Sequence, residues 1–407
     1  MNLPDIVRSW FGQVENELVC RLSQYSRGLD AKLTPGPKKR ILSLDGGGIR
    51  GAMAIGVLEG IEDLLRKRHG NDPDFRLCDY YDLIGGTSTG SIIAAALVAK
   101  RFSASEIKDF YFELSPKIFR PSLLRQGFSR AKFDGSRLLN ALDDVFGDTT
   151  LGDSSLESGI AIVAKRIDTS STWVMHNNPS APFFGDPADG SYIGNKHYLL
   201  KNIIRASTAA PHYFKPERIE IIKDQEYGLF VDGGMTPHNN PAFQLVMLVG
   251  MNGHGYNWAF GADQLLVTSI GTGSMSERVE ADKVNRQLQI QKTMQALTSM
   301  ITSSEDFVEL LMQWLGESSD PTEIDSEIGT LAQEFLAQKP LFSYQRYQAT
   351  LNQSALKSDL GISISAKELS VLRDMTDPAA TGIAHGVGQI MADKLIKETH
   401  FPTGFDL

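Results

Sequence analysis

Apolar residues recur at helical spacing from the start of the chain. Ile6, Val7, Trp10, Phe11, Val14, Leu18 and Leu22 form a stripe that Pro35-Gly36-Pro37 breaks off. The pattern predicts a helical arm over 1–37, packed on the main core or serving self-association or regulation. From residue 38 the period changes. Ile41-Leu42-Ser43-Leu44 is a short strand-like run, and Met53, Val57, Leu58, Ile61 and Leu65 share one face of a helix over 52–68. Tyr80-Tyr81-Asp82-Leu83-Ile84 predicts a second strand. Ile92 to Ala99, Ala-rich and free of breakers, predicts a buried helix. Strand, glycine-rich turn, helix, strand, turn, helix is the order of an α/β unit with a parallel sheet.

Further strands are expected at 160–164, 173–175, 228–231 and 265–270, with a helix over 199–206. Phe119-Arg120-Pro121-Ser122-Leu123-Leu124 reads as an apolar loop that lines or covers an entrance. Residues 177–191 read as a loop anchored by Phe183-Phe184. After about residue 280 the pattern is helical, with Leu288, Met294, Leu297, Ile301, Leu311 and Leu315 at helical spacings. Ser365-Ala366-Lys367-Glu368 is a capping box with Ile364 and Leu369 placed as a staple. Ile383, Val387, Ile390, Met391 and Leu395 mark a last helix. The expected organisation is an arm at 1–37, an α/β domain at 38–280 and a helical layer at 281–407.

Composition narrows the partners. The chain has 407 residues and a net charge of −9, which gives no drive towards nucleic acid or anionic membranes. Cys20 and Cys78 fit neither a metal pattern nor a disulfide framework, so reduced thiols in the cytoplasm are expected. Asp5, Arg8, Glu15 and Glu17 interrupt the N-terminal apolar residues, so no signal-peptide core is expected there. No apolar run reaches the ~20 residues that span a bilayer. A protein of this kind that acts on lipid would dock peripherally, from the cytoplasmic side.

Two glycine-rich turns carry candidate chemistry. Gly86-Thr87-Ser88-Thr89-Gly90 joins a strand to a helix in the Gly-x-Ser-x-Gly pattern of a nucleophile elbow. A turn that merely caps a helix is the bland alternative. Gly46-Gly47-Gly48-Ile49-Arg50-Gly51 fits Gly-x-Gly-x-x-Gly. A dinucleotide site would need an acidic residue at the end of the second strand, where Gly85-Gly86-Thr87-Ser88 stands instead. The other reading is an oxyanion hole of backbone N–H groups, worth ~3–4 kcal/mol of barrier per donor. Arg50 would reinforce that loop or meet a phosphate, unless it forms an ordinary ion pair. For a base, His212, His238 and His254 lie downstream without an evident acidic orienter. Asp232 stands at a strand end in Asp232-Gly233-Gly234, where a plain turn is the simpler reading on spacing alone.

Taken together and in order, Asp45 to Gly51, Gly86 to Gly90, Ala206-Ser207-Thr208-Ala209-Ala210-Pro211, Asp232-Gly233-Gly234 and Ser269-Ile270-Gly271-Thr272-Gly273 resemble the patatin family. The resemblance covers roughly residues 38–275. It implies a three-layer α/β/α core with a mostly parallel sheet. It also implies a lipid acyl hydrolase acting on glycerophospholipid esters, with no histidine, metal or calcium. By the resemblance Ser88 is the nucleophile, Asp232 the base, and Gly46, Gly47, Gly48 and Arg50 the oxyanion loop. Gly51, Gly86, Gly90, Gly233 and Gly234 support these motifs. The arm and helical layer exceed a minimal patatin. In layout the chain is similar to the patatin phospholipases that cyclic di- or trinucleotides activate in bacterial antiphage signalling, which implies a nucleotide activator and an off state. An acyltransferase, a soluble esterase of the same fold and a catalytically idle binding module are the rival expectations.

Overall fold

The computed structural model describes residues 23–119, 133–275 and 289–407. The stripe expected at 6–22, Cys20, the loop at 120–124, Leu288 and the side chains of Met294 and Leu297 lie outside the described residues. In chain order the elements are α1 (Leu29–Leu33), β1 (Lys39–Leu44), α2 (Gly51–Arg68), α3 (Leu77–Tyr80), β2 (Leu83–Thr87), α4 (Thr89–Ala99) and α5 (Ala104–Ile118). There follow α6 (Gly135–Phe146), β3 (Gly159–Arg166), β4 (Ser171–His176), α7 (Leu200–Ser207), β5 (Glu217–Ile222), β6 (Glu226–Asp232), α8 (Ala242–Gly250) and β7 (Leu265–Ile270). The last third contributes α9 (Gln289–Leu315), β8 (Ser343–Tyr347), α10 (Gln353–Leu360), α11 (Ala366–Arg373) and α12 (Ala380–Leu395).

The strands form one sheet in the order β5-β6-β3-β2-β1-β7-β8, with β4 on the other edge of β3. The stretch β3-β2-β1-β7-β8 is parallel, and the β4 and β6 pairings with β3 are antiparallel. Side chains alternate across the sheet. Ile41, Leu83, Ala161, Leu265 and Val267 enter one core with Leu245, Val249 and Met312. Leu42, Ile84, Ile162 and Leu266 enter the opposite core with residues of α2, α4, α5 and α12. The result is the expected α/β/α sandwich.

Two differences from the sequence pattern have physical causes. The second strand begins at Leu83. Tyr80 closes α3 instead, because the Asp79 carboxylate accepts the Arg76 N–H at 2.8 Å and binds Arg101 at 2.6 and 3.1 Å. The segment expected to be only helical also supplies β8, whose polar Ser-Tyr-Gln-Arg-Tyr sequence is buried because its side chains find partners. Arg346 pairs with Asp45, and Tyr344 donates to Glu309 at 2.6 Å. β5 lies in a stretch to which the pattern assigned no element. The C-terminal third also shares the main core, since Tyr347, Leu351, Leu372 and Val387 pack in the cluster that holds Leu42 and Ile84. No helix among the described residues is long and apolar enough to cross a membrane.

Candidate active site

β1 and β2 are parallel neighbours with Leu44 opposite Gly86, so both glycine-rich turns leave the sheet at the same edge. A third turn meets them through β3. That strand pairs with β2 up to Thr87–Val163 and with β6 from Asp232–Ala164 onwards. β4 occupies the other side of β3 over 161–166, so β2 and β6 share one edge and approach head-on. Ser88, the residue after Thr87, therefore meets Asp232.

Ser88 sits at φ 51° and ψ −122°, a strained conformation for a non-glycine residue, at the point where β2 turns into α4. The turn closes only on glycines. A Cβ on Gly86 would run into the Gly90 carbonyl, and one on Gly90 into the carbonyl of Leu44. The Ser88 N–H donates to Ser207 Oγ at 2.8 Å, and Ser207 Oγ donates to the Val163 carbonyl at 2.6 Å. This ties the strained residue to β3.

Ser88 Oγ donates to Asp232 Oδ2 at 2.6 Å. Asp232 Oδ1 accepts the Gly234 N–H at 2.7 Å, and the Asp232 N–H donates to the Ala209 carbonyl at 3.1 Å. Burial pushes the Asp232 carboxyl up to about 6, although the Ser88 and Gly234 hydrogen bonds and nearby Arg205 pull it down. The pair is thus a hydroxyl on a carboxylate that is ionised at neutral pH and more basic than an exposed one. Ser88 stays half-buried, open to the cavity.

The glycine loop stands alongside: a Cβ on Gly46 would lie 3.1 Å from Ser88 Cβ. Its first amide is already occupied, because the Gly46 N–H donates to the Asn239 carbonyl at 3.1 Å. The expectation of three free amides is therefore corrected to two. Gly47 and Gly48 give their N–H groups to no acceptor among the described residues. The loop is braced through its carbonyls. Thr272 Oγ1 donates to Gly46 O at 2.7 Å and Tyr111 OH to Gly48 O at 2.5 Å. Arg50 is buried with Nε and Nη1 unpartnered and makes no ion pair among the described residues, and burial lowers it to about 10.

These groups line one cavity whose other walls are mostly apolar, among them Ile92, Leu114, Phe119, Leu138, Phe214 and Ile301. No histidine among the described residues bonds to Ser88. His238 supplies a backbone carbonyl to Thr87 Oγ1 at 2.6 Å, His254 packs against His176, and His212 is exposed.

The sequence model described as patatin-like phospholipase matches residues 42–246. The chain belongs to the patatin-like phospholipase family. Patatin group J-1 of Solanum tuberosum is 33% identical over 253 residues, covering 58% of this chain and 61% of that protein. Patatin-17 of Solanum cardiophyllum is 32% identical over 252 residues, with the same 58% and 61% covered. The matches thus span less than two thirds of these relatives' length. Among solved structures, human GIVD cytosolic phospholipase A2 is similar with a TM-score of 0.48 and 10% identity, covering 97% of this chain and 62% of that one.

Within this patatin-like core the structure brings Ser88, Asp232, the glycine loop and Arg50 together. Ser207 and Thr272 lie in motifs already singled out, and the structure gives them their work. Asn239, Tyr111 and Glu305 carried no sequence signal. Each is an ordinary polar residue placed only by the fold: Asn239 and Tyr111 touch the loop, and Glu305 touches Asn239.

Proposed function

We propose that this chain is a phospholipase A-type acyl hydrolase in which Ser88 and Asp232 act as a dyad. The observation that carries the reading is the 2.6 Å hydrogen bond from Ser88 Oγ to Asp232 Oδ2 at the wall of an apolar cavity. Ser88 Oγ attacks the ester carbonyl as its proton passes to Asp232. The free Gly47 and Gly48 amides, at the rim of the same cavity, hold the oxyanion. Asp232 then protonates the departing alkoxide of the lysophospholipid. In the second half it takes a proton from the attacking water and passes it to Ser88 Oγ as the acyl bond breaks, which releases the fatty acid and restores Ser88. The apolar walls suit an acyl chain.

Access to lipid is by peripheral docking. Met300, Phe307 and Trp314 follow one another at seven-residue intervals along α9 and are 70%, 57% and 36% exposed. Ile301 and Glu305 of the same helix line the cavity. An exposed apolar stripe on a cavity-lining helix supports contact with a lipid surface.

The test is fatty-acid release from phospholipid vesicles by the wild type and Ser88→Ala. Release by the wild type alone is expected. No release by either, while both proteins bind vesicles, would favour an idle binding module. Acyl transfer to an added alcohol in preference to water would favour the acyltransferase. Arms with cyclic di- and trinucleotides test the activator implied by the chain's layout. Release that requires a nucleotide establishes the switch, and full release without one removes it.

A further inference from the structure

α9 begins 43 residues beyond the family-matched segment that ends at 246, and it carries a carboxylate into the cavity. Glu305 Oε1 accepts a hydrogen bond from Asn239 Nδ2, and the same amide nitrogen lies 3.3 Å from the Gly46 carbonyl. Glu305 is therefore one side chain removed from the glycine loop. The charged groups around it come from four elements. Arg50 follows the glycine loop. Asp45 follows β1 and is gripped by Arg346 of β8 at 3.0 and 2.6 Å. Glu309, one turn along α9, lies 3.7 Å from Arg346, and Asp306 is the next residue of the helix.

In this cluster Asp45 has its own partner and Arg50 has none. Among the described residues the carboxylate whose field reaches Arg50 is Glu305, and the two form no ion pair. Both line the cavity that holds Ser88. A buried cation with free N–H groups attracts an anionic ligand group, and a nearby carboxylate cancels that attraction.

We propose that Glu305 is a specificity-determining residue of this site, a resident counter-charge to Arg50 that sets how well the cavity accepts an anionic headgroup. With Glu305 ionised, the pair is compensated and zwitterionic or uncharged acyl esters are favoured. With Glu305 neutral, Arg50 is an uncompensated cation and anionic esters gain. Specificity here is a difference between two affinities, set by charge placed against one of them. The proposal rests on the acyl-hydrolase reading. Burial and the neighbouring Asp45 push the Glu305 carboxyl up to about 7, against the pull of Arg346, Asn239 and Arg50. The preference for anionic esters therefore declines as pH rises through neutrality.

The test uses monomeric short-chain substrates, so that vesicle charge plays no part. kcat/KM is measured for dihexanoyl phosphatidylglycerol and dihexanoyl phosphatidylcholine, both below their micelle concentrations, from pH 6 to 8.5. A p-nitrophenyl ester serves as the uncharged reference. Taking the ratio of the two phospholipids cancels the titration of Asp232, which both share. The wild-type ratio is expected to fall about tenfold across the range, the effect of one unit of differential charge interaction. Glu305→Gln retains an oxygen for Asn239 but carries no charge, and its ratio is expected to stay high and flat. A purely structural Glu305 would leave the ratio in Glu305→Gln tracking the wild type, and that result overturns the proposal. A flat wild-type ratio overturns it without any variant. If the wild type cleaves neither phospholipid nor the p-nitrophenyl ester, the hydrolase reading itself fails.

Discussion

Asp232→Asn removes the proposed base and keeps the shape of the site. The amide oxygen can still accept the Gly234 N–H that Oδ1 holds at 2.7 Å, so the turn after β6 keeps its support. The atom facing Ser88 Oγ changes from a proton acceptor at 2.6 Å to an NH2 donor. Hydrolysis of a p-nitrophenyl ester should fall about 10²- to 10⁴-fold in kcat, the range for a lost general base. In the wild type, kcat/KM should rise with pH through about 6 as Asp232 ionises.

The same change should stabilise the fold, in one pH window only. Burial holds Asp232 up to about 6, against an ordinary 3.8. Below 3.8 the carboxyl is protonated in both folded and unfolded chains, and there is no penalty. As pH rises, the unfolded chain ionises first while the folded site keeps its proton, so wild-type stability falls until about 6 and stays lower above it. The gap corresponds to about 3 kcal/mol for this buried group. An amide does not ionise, so Asp232→Asn escapes this loss. For 407 residues the gain is roughly 3–4 °C in Tm at pH 8. Calorimetry of both proteins at pH 4 and pH 8 measures it. An equal Tm difference at the two pH values, or none at pH 8, would refute the burial argument. Full-rate turnover by Asp232→Asn would refute the dyad and move the base to His238 or His212.

Ser207→Ala leaves the Ser88 N–H and the Val163 carbonyl without their shared hydroxyl. Steady-state kinetics should show kcat down about tenfold or more with KM little changed, and denaturant titration a loss of about 1–3 kcal/mol. Arg346→Met leaves Asp45 buried without its bidentate partner, which should cost about 3–5 kcal/mol. Combining it with Asp45→Asn should recover much of that loss in the same denaturation experiment.

The parts of the site that could be read along the chain are those that satisfy a local demand. A strained serine between β2 and α4 needs small residues at Gly86 and Gly90, because the carbonyls of Gly90 and Leu44 stand where Cβ atoms would go. That demand is written within five residues. Asp232 is different. It lies 144 residues from Ser88, and nothing in Asp232-Gly233-Gly234 separates a base from a plain turn. Only the family resemblance singled it out. What brings it to Ser88 is the division of one edge of β3 between β2 and β6, a pairing choice that no period of hydrophobicity encodes. β8 was hidden for a related reason. Tyr344 and Arg346 look like surface residues until Glu309 and Asp45 are placed beside them, and burial then follows from the partners. The same logic applies to Glu305. A carboxylate amid the polar residues of a long helix reads as solvated, yet here the fold sets it against Asn239 and within the field of Arg50. The turn that presents Ser88 is therefore local in sequence, and neither its proposed base nor the charge that would select its substrate is. Exchange of the elements beyond residue 246 would then alter which headgroups are taken while leaving the elbow intact.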